Sequence, residues 1–228
     1  MSTVWLFDLD NTLHDASRRI FPEMREAMGA YIVRHVGVDA AEAAGLRELY
    51  SRRYGNTLLG LLRHHGVRSE HFLRETHDFA ELEQWVHAHA ADLAALRRLP
   101  GRKILLTNAP EFYARRVLAA LKLTHVFEAV VAVEQMAMFG QLRPKPDARM
   151  FRHLLARLKL QAHRCVLVED TLEHQKSAHA LGIATVWMQR WSRGAGHPHL
   201  NRRPAYVGCR IGRLSELRPF GAGVHPTI

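Results

Sequence analysis

The stretch VWLFDLDNTLHD, Val4 to Asp15, decides how the chain is read. Val4–Asp8 is a short β-rich run whose first four residues are apolar, the pattern of a buried strand. Asp8 and Asp10 follow at once, separated only by Leu9, so two carboxylates stand where a buried strand ends. The chain as a whole carries a net charge of +10, so clustered acids are not its compositional habit. Carboxylates held at one such spot need a cation opposite them or a proton to move.

Outward from this stretch the pattern changes twice. From Pro22 to about Leu99 it is helical, with few β-branched runs. Pro22 suits a helix first turn, Asp39 with Glu42 three residues on marks a capped start, and Ser69 marks another. Gly55 and Gly66 read as helix stops. After Pro100–Gly101, strands and helices alternate. KILLTNA (103–109), VFEAVVAVEQ (126–135), CVLVED (165–170) and ATVWMQ (184–189) read as strands. PEFYARRVLAALKL (110–123), DARMFRHLLARLKL (147–160, capped by Asp147) and TLEHQKSAHALG (171–182, closed by Gly182) read as helices. Alternation with apolar-run strands predicts an α/β fold, a doubly wound parallel sheet covered on both faces. The expected division is a core of residues 1–16 and 98–228 with a helical insertion at 17–97.

The bulk numbers narrow the function classes. A chain of 228 residues, 47% hydrophobic and 24% charged, can bury a substantial core without staples. Cys165 and Cys209 form no CxxC pair, which fits a reducing cytoplasm rather than a disulfide scaffold or zinc knuckle. The first residues lack the basic start and apolar run of a secretory signal, and no run approaches the ~20 apolar residues of a membrane span. A soluble cytoplasmic protein is expected. The 32 basic residues are scattered as singles and pairs. The longest basic stretch, RWSRGAGHPHLNRR (190–203), has no aromatic residue beyond Trp191. That pattern argues against a dedicated nucleic-acid surface and suits attraction of small phosphorylated anions.

In a doubly wound sheet, ligands bind beyond the carboxyl ends of the strands. The residues there are Asp8, Asp10 and Thr12, then Thr107 and Asn108, then Lys145 in RPKPD, then Glu169 and Asp170. Carboxylates converging without His or Cys suit a hard oxygen-seeking ion, Mg²⁺ before Zn²⁺. Thr107, Asn108 and Lys145 are donors for an anion, and the helix starting at Pro110 offers backbone N–H groups. Lys145 is one of five lysines against 27 arginines, and it stands between two prolines. Metal, anion cradle and a spare carboxylate together describe phosphoryl transfer. Among the 16 histidines, the pairs His64-His65, His87/His89 and His197/His199 show no consistent accompanying ligand set.

DLDNTL, Thr107-Asn108, RPKPD and VED resemble, in order, the four motifs of the haloacid dehalogenase superfamily of phosphohydrolases. The resemblance runs from Val4 to about Leu217. It implies a sheet core with a mobile cap, the helical insertion being a cap of the first class. It further implies that Asp8 is the nucleophile, forming an aspartyl-phosphate, and that Asp10 is the general acid and base. Lys145 would offset charge, Thr107 and Asn108 would bind phosphate, and Thr12 would support the turn. Asp8, the Asp10 backbone carbonyl, Asp170 and Glu169 would form the Mg²⁺ site. One departure is His174, which stands where some relatives carry a further acid. LYSRRYGNTLLGLLRHHGV (49–67) and the opening FDLDNTLHDASRRIFPEM are similar to the pyrimidine 5'-nucleotidase-like group. A pyrimidine nucleoside 5'-monophosphate is therefore an expected substrate, with a sugar phosphate or phosphoglycolate as the alternative. Arg53, Tyr54 and Asn56 could reach a base or ribose or be ordinary cap surface, and His14 could touch substrate. Haloacid dehalogenation needs no leaving-group acid, so Asp10 argues against it.

Overall fold

A computed structural model describes residues 3–191 and 203–218; most of the basic 190–203 stretch, and with it His197 and His199, lies outside the described residues. The described chain divides into two compact units, Arg18–Trp85 and the remainder.

The larger unit is built on a six-stranded sheet of β1 (Val4–Phe7), β2 (Arg102–Leu106), β3 (Ala129–Val131), β6 (Cys165–Glu169), β7 (Ala184–Met188) and β8 (Cys209–Ile211). The order is β3-β2-β1-β6-β7-β8 and every pairing is parallel. After β1 the chain adds strands on one side, then returns to β6 on β1's other edge. The strand order therefore reverses at β1, where Phe7 pairs with Leu105 on one side and Val168 on the other. β1 is the most enclosed strand: Trp5, Leu6 and Phe7 have no exposed surface. Because side chains alternate across a strand, Val4 and Leu6 share one face. They pack in a cluster with Met150, Phe151 and Leu154 of α8 (Ala148–Arg157) and Ala178 of α9 (Leu172–His179). Asp147 caps α8 as expected, accepting from the Arg149 N–H.

Two readings of the sequence change in this unit. VFEAVVAVEQ is a strand only over Ala129–Val131, followed by a 3₁₀ turn at Val133–Met136. The Val133 N–H leaves the ladder to bond Ala109 O, and the Gln135 side chain takes the Ala132 N–H. Short strands β4 (Ala137–Met138) and β5 (Gln141–Leu142) then form a two-stranded hairpin that has no periodic signal. α7 (Glu111–Ala120) follows β2. A further helix, α6 (Ala90–Arg98), belongs to this unit although it falls inside the expected insertion. Buried Asp92 anchors it, receiving the Arg190 guanidinium and the Ser215 N–H.

The smaller unit is helical throughout: α1 (Ile20–Val36), α2 (Ala40–Tyr54), α3 (Thr57–His65), α4 (Ser69–His77) and α5 (Leu82–Trp85). Asp39 caps α2 by accepting from the Glu42 N–H, and Gly55 and Gly66 end α2 and α3 in the left-handed conformation. Ser69 is the first residue of α4 rather than its cap; Arg68 holds the cap position without a side-chain bond. Tyr31 of α1 meets Phe72 of α4 edge-on at 5.0 Å. Among the described residues no helix is long and apolar enough to cross a membrane.

Gly101 is the joint through which the chain re-enters the sheet. Its φ is +105°, and a Cβ there would stand 2.4 Å from the Thr3 carbonyl oxygen and 3.2 Å from Trp5 Nε1. The indole in turn donates to Pro100 O at 2.9 Å. Gly101→Ala meets both a strained φ and a backbone clash, and is expected to lower unfolding stability by about 1–3 kcal/mol. Chemical denaturation compared with wild type checks this.

Candidate active site

At the switch point the ends of β1, β2 and β6 converge with the loop before α8. Asp8 follows β1 directly and its N–H donates to Val168 O, which fixes its backbone to β6. Lys145, with no exposed surface, brings its ammonium between three acceptors: Asp8 Oδ1, Glu169 Oε2 and Leu106 O, each at 2.8 Å. All three donors of the ammonium are thereby used. Asn108 holds this lysine by its backbone. Its side-chain amide donates to Lys145 O and its oxygen accepts from the Lys145 N–H, both at 2.9 Å. Thr107 is buried, and its hydroxyl oxygen accepts from the Ala109 N–H.

Asp8, Glu169 and Asp170 bring carboxylate oxygens within 4.8 Å of one another. Burial, then the charge of Glu169, push the Asp8 carboxyl up to about 6 against the opposing pull of Lys145. Burial followed by the Glu169 and Asp8 charges raises Asp170 well above the carboxylate range. Burial works on Glu169 in the same sense, but Lys145 and His174 outweigh it and hold that carboxyl low. Lys145 itself, despite burial, is raised by Asp8 and Glu169 and stays protonated. The ammonium thus pairs with two of three crowded carboxylates, and the surplus negative charge is what a divalent cation relieves. The donor set is all oxygen, so the residues fit a hard ion.

Asp10 is held apart from this cluster. His14 Nε2 lies 2.9 Å from Asp10 Oδ1 and Tyr113 donates its hydroxyl to the same oxygen at 2.6 Å. Both partners are fully buried. His14 therefore faces the second aspartate of the motif. Asn11 makes the tight turn between the two aspartates and His14. It adopts φ +59°, a left-handed value that Asn tolerates better than most side chains. Its amide donates to Ser17 Oγ at 2.8 Å and its oxygen accepts the Ser17 N–H at 3.0 Å. His174, at the position of the departure noted above, sets Nδ1 2.9 Å from Glu169 Oε2.

Tyr113 escapes sequence reading because it lies 103 residues from Asp10, inside an ordinary amphipathic helix. In the smaller unit, Asn56 caps α3, accepting from the Leu58 N–H. The Tyr54 hydroxyl is 2.6 Å from His64 Nε2, and Arg53 and Arg63 lie 5.6 and 5.9 Å from the Tyr54 ring centre.

Residues 3–182 match the family model of the haloacid dehalogenase-like hydrolases. The chain belongs to that family. A plasmid-borne phosphoglycolate phosphatase of Cupriavidus necator is 34% identical over 108 residues, 47% of this chain and 45% of that protein. The chain thus spans less than half the length of the curated relative it matches. Among solved structures of this hydrolase fold, CbbY from Rhodobacter sphaeroides in complex with phosphate superposes with a TM-score of 0.65 at 19% identity, covering 95% of this chain and 96% of that one. A HAD phosphatase from Thermococcus onnurineus gives 0.59 at 23% identity, with 95% of each chain covered. At these identities the likeness is one of fold.

The electrostatics of this cluster make a stability prediction. Lys145→Met leaves Asp8 and Glu169 buried without their ammonium and is expected to cost about 3–5 kcal/mol near neutral pH. Asp8 has a folded pKa of about 6, above its ordinary value of 3.8. Such a group favours the folded state at low pH, and that contribution is lost as pH rises through about 6. The penalty of Lys145→Met should therefore be larger at pH 8 than at pH 5, read from denaturant midpoints at each pH.

Proposed function

We propose that this chain is a Mg²⁺-dependent phosphomonoesterase that works through an aspartyl-phosphate on Asp8. The observation that carries the reading is the buried Lys145 ammonium bridging Asp8 and Glu169 at the switch point, with Asp170 completing an oxygen-only cluster. Asp8, Glu169 and Asp170 would hold the ion, with the Asp10 backbone carbonyl as a further ligand. When bound, Mg²⁺ supplies positive charge to offset that of the phosphoryl oxygens.

The remaining chemistry belongs to the chain. Lys145 keeps Asp8 ionised and oriented, so one carboxylate oxygen can attack phosphorus. As the new P–O bond forms, the bond to the leaving oxygen breaks and Asp10 gives that oxygen its proton. Water then attacks the phosphorus of the aspartyl-phosphate, Asp10 takes back a proton, and Asp8 is released with inorganic phosphate. His14 and Tyr113 both occupy Asp10 Oδ1, so Oδ2 is the oxygen left to exchange the proton. They act as positioning residues. Thr107, with its hydroxyl beside the helix start of α7, would bind phosphate, and Asn108 would serve by holding Lys145.

For the substrate, the phosphoglycolate phosphatase relative supports a small phosphorylated carboxylate or sugar. The fold neighbour CbbY has also been captured, as a variant, with xylulose-1,5-bisphosphate. These favour a phosphoglycolate- or sugar-phosphate-type substrate over a pyrimidine nucleoside 5'-monophosphate. Phosphate release from a panel of phosphoglycolate, sugar phosphates, UMP and CMP tests both levels. Turnover should require Mg²⁺, stop with chelator, and fall at least about a thousandfold in Asp8→Asn. Full activity in chelator or in Asp8→Asn overturns the mechanism, and a preference for UMP or CMP overturns the substrate class alone.

Positioning of the acid gives a sharper signature. Tyr113→Phe and His14→Gln should each slow hydrolysis of alkyl phosphates about ten- to a hundredfold, since hydrogen bonds to a charged group contribute about 1.5–3 kcal/mol. Aryl phosphates with good leaving groups need little protonation and should be nearly unaffected. Equal losses on both substrate types would mean a structural role only.

A further inference from the structure

We propose that the smaller unit carries a second cation site, formed by His35, His71 and Glu75, for a borderline transition ion such as Zn²⁺, Ni²⁺ or Co²⁺. The inference is independent of the phosphatase reading. One ligand atom from each of the three residues lies within 4.8 Å of the others, close enough for a single ion to bind all three. His71 and Glu75 stand four residues apart on α4, so they share one face of that helix. His35 comes from the last turn of α1, which Tyr31 fastens to α4 through Phe72. His71 Nε2 is 2.9 Å from Glu75 Oε1, and His35 Nε2 is 3.6 Å from Glu75 Oε2.

Supporting groups surround these three residues as they do in metal centres, where partners behind the ligands fix tautomer and orientation. The Tyr31 hydroxyl is 3.1 Å from His71 Nδ1. With the proton on Nδ1 donated to Tyr31, the lone pair of His71 is at Nε2, on the Glu75 side. The Tyr31 ring also lies 4.3 Å, centroid to centroid, from the His35 ring, and His35 and His71 meet nearly edge-on at 4.9 Å. Arg34 donates to Glu75 Oε2 at 2.9 Å, which orients that carboxylate with Oε1 toward His71. All three residues are exposed, so an ion can enter and keep water in its fourth position. Two imidazoles and one carboxylate select Zn²⁺, Ni²⁺ or Co²⁺ over Mg²⁺, which prefers oxygen alone. The bound ion would tie the end of α1 to α4.

Calorimetric titration of Zn²⁺ and of Ni²⁺ into the full chain, with excess Mg²⁺ present to occupy the acidic cluster, tests the site. Wild type should bind with micromolar affinity, and its thermal unfolding should rise by several degrees with Zn²⁺. His71→Asn and Glu75→Gln should each weaken that binding at least tenfold and abolish the thermal shift. Tyr31→Phe should weaken it by a smaller factor, while His64→Asn, in a separate histidine pair, should change nothing. Co²⁺ should give tetrahedral visible bands in wild type that disappear in His71→Asn. His71→Asn and Glu75→Gln change exposed residues, and Tyr31→Phe keeps the buried ring, so circular dichroism without metal should match wild type in each variant. Absence of Zn²⁺ and Ni²⁺ binding in wild type, or undiminished binding in both His71→Asn and Glu75→Gln, overturns the proposal.

Discussion

A protonated lysine with no exposed surface is the constraint on which the larger unit depends. Burying an ammonium is costly unless its charge and its three donors are all met. Here they are met by two carboxylates and a main-chain carbonyl drawn from three adjacent strand ends, at Asp8, Glu169 and Leu106. Those acceptors stand together only because β1 lies between β2 and β6. The same arrangement keeps Asp8 and Glu169 from being an unopposed pair. Lys145, the strand order and the acidic cluster are thus one electrostatic unit, in which each member makes the others tolerable.

Asp10 shows how a shared motif is divided by surroundings. Only one residue separates it from Asp8, yet the two carboxylates face different partners. Asp8 meets an ammonium and other acids; Asp10 meets an imidazole and a phenol hydroxyl on a single oxygen. The turn made by Asn11, braced by its two hydrogen bonds to Ser17, turns neighbouring side chains to these separate environments. The smaller unit repeats the lesson on its own surface. Its acid Glu75 is placed by α4, but the imidazole His35 comes from α1, and Tyr31 disciplines both rings.

Much of this was readable because it rests on local rules. The apolar run before Asp8, the alternation after Gly101, the cap at Asp147 and the stops at Gly55 and Gly66 each follow from a few neighbouring residues. Lys145 was conspicuous through scarcity and its flanking prolines. What escaped had no local signal. The 3₁₀ turn at Val133–Met136 arises because Ala109 and Gln135 compete for backbone donors that a strand would use, and periodicity is blind to that competition. α6 reads as part of the helical insertion, yet the buried Asp92 ties it to Arg190 and Ser215, far along the chain.

The sequence by itself determined the class of fold, the acids at the strand ends and the lysine that answers them, because burial periodicity and turn chemistry act over a few residues. Only the tertiary structure decided which atoms meet. Tyr113 reaches Asp10 across 103 residues, and His35 joins His71 from a different helix. Asn108 grips the backbone of Lys145 rather than standing free. These partnerships depend on strand order and helix packing, which bring together groups whose separation along the chain carries no trace of their contact.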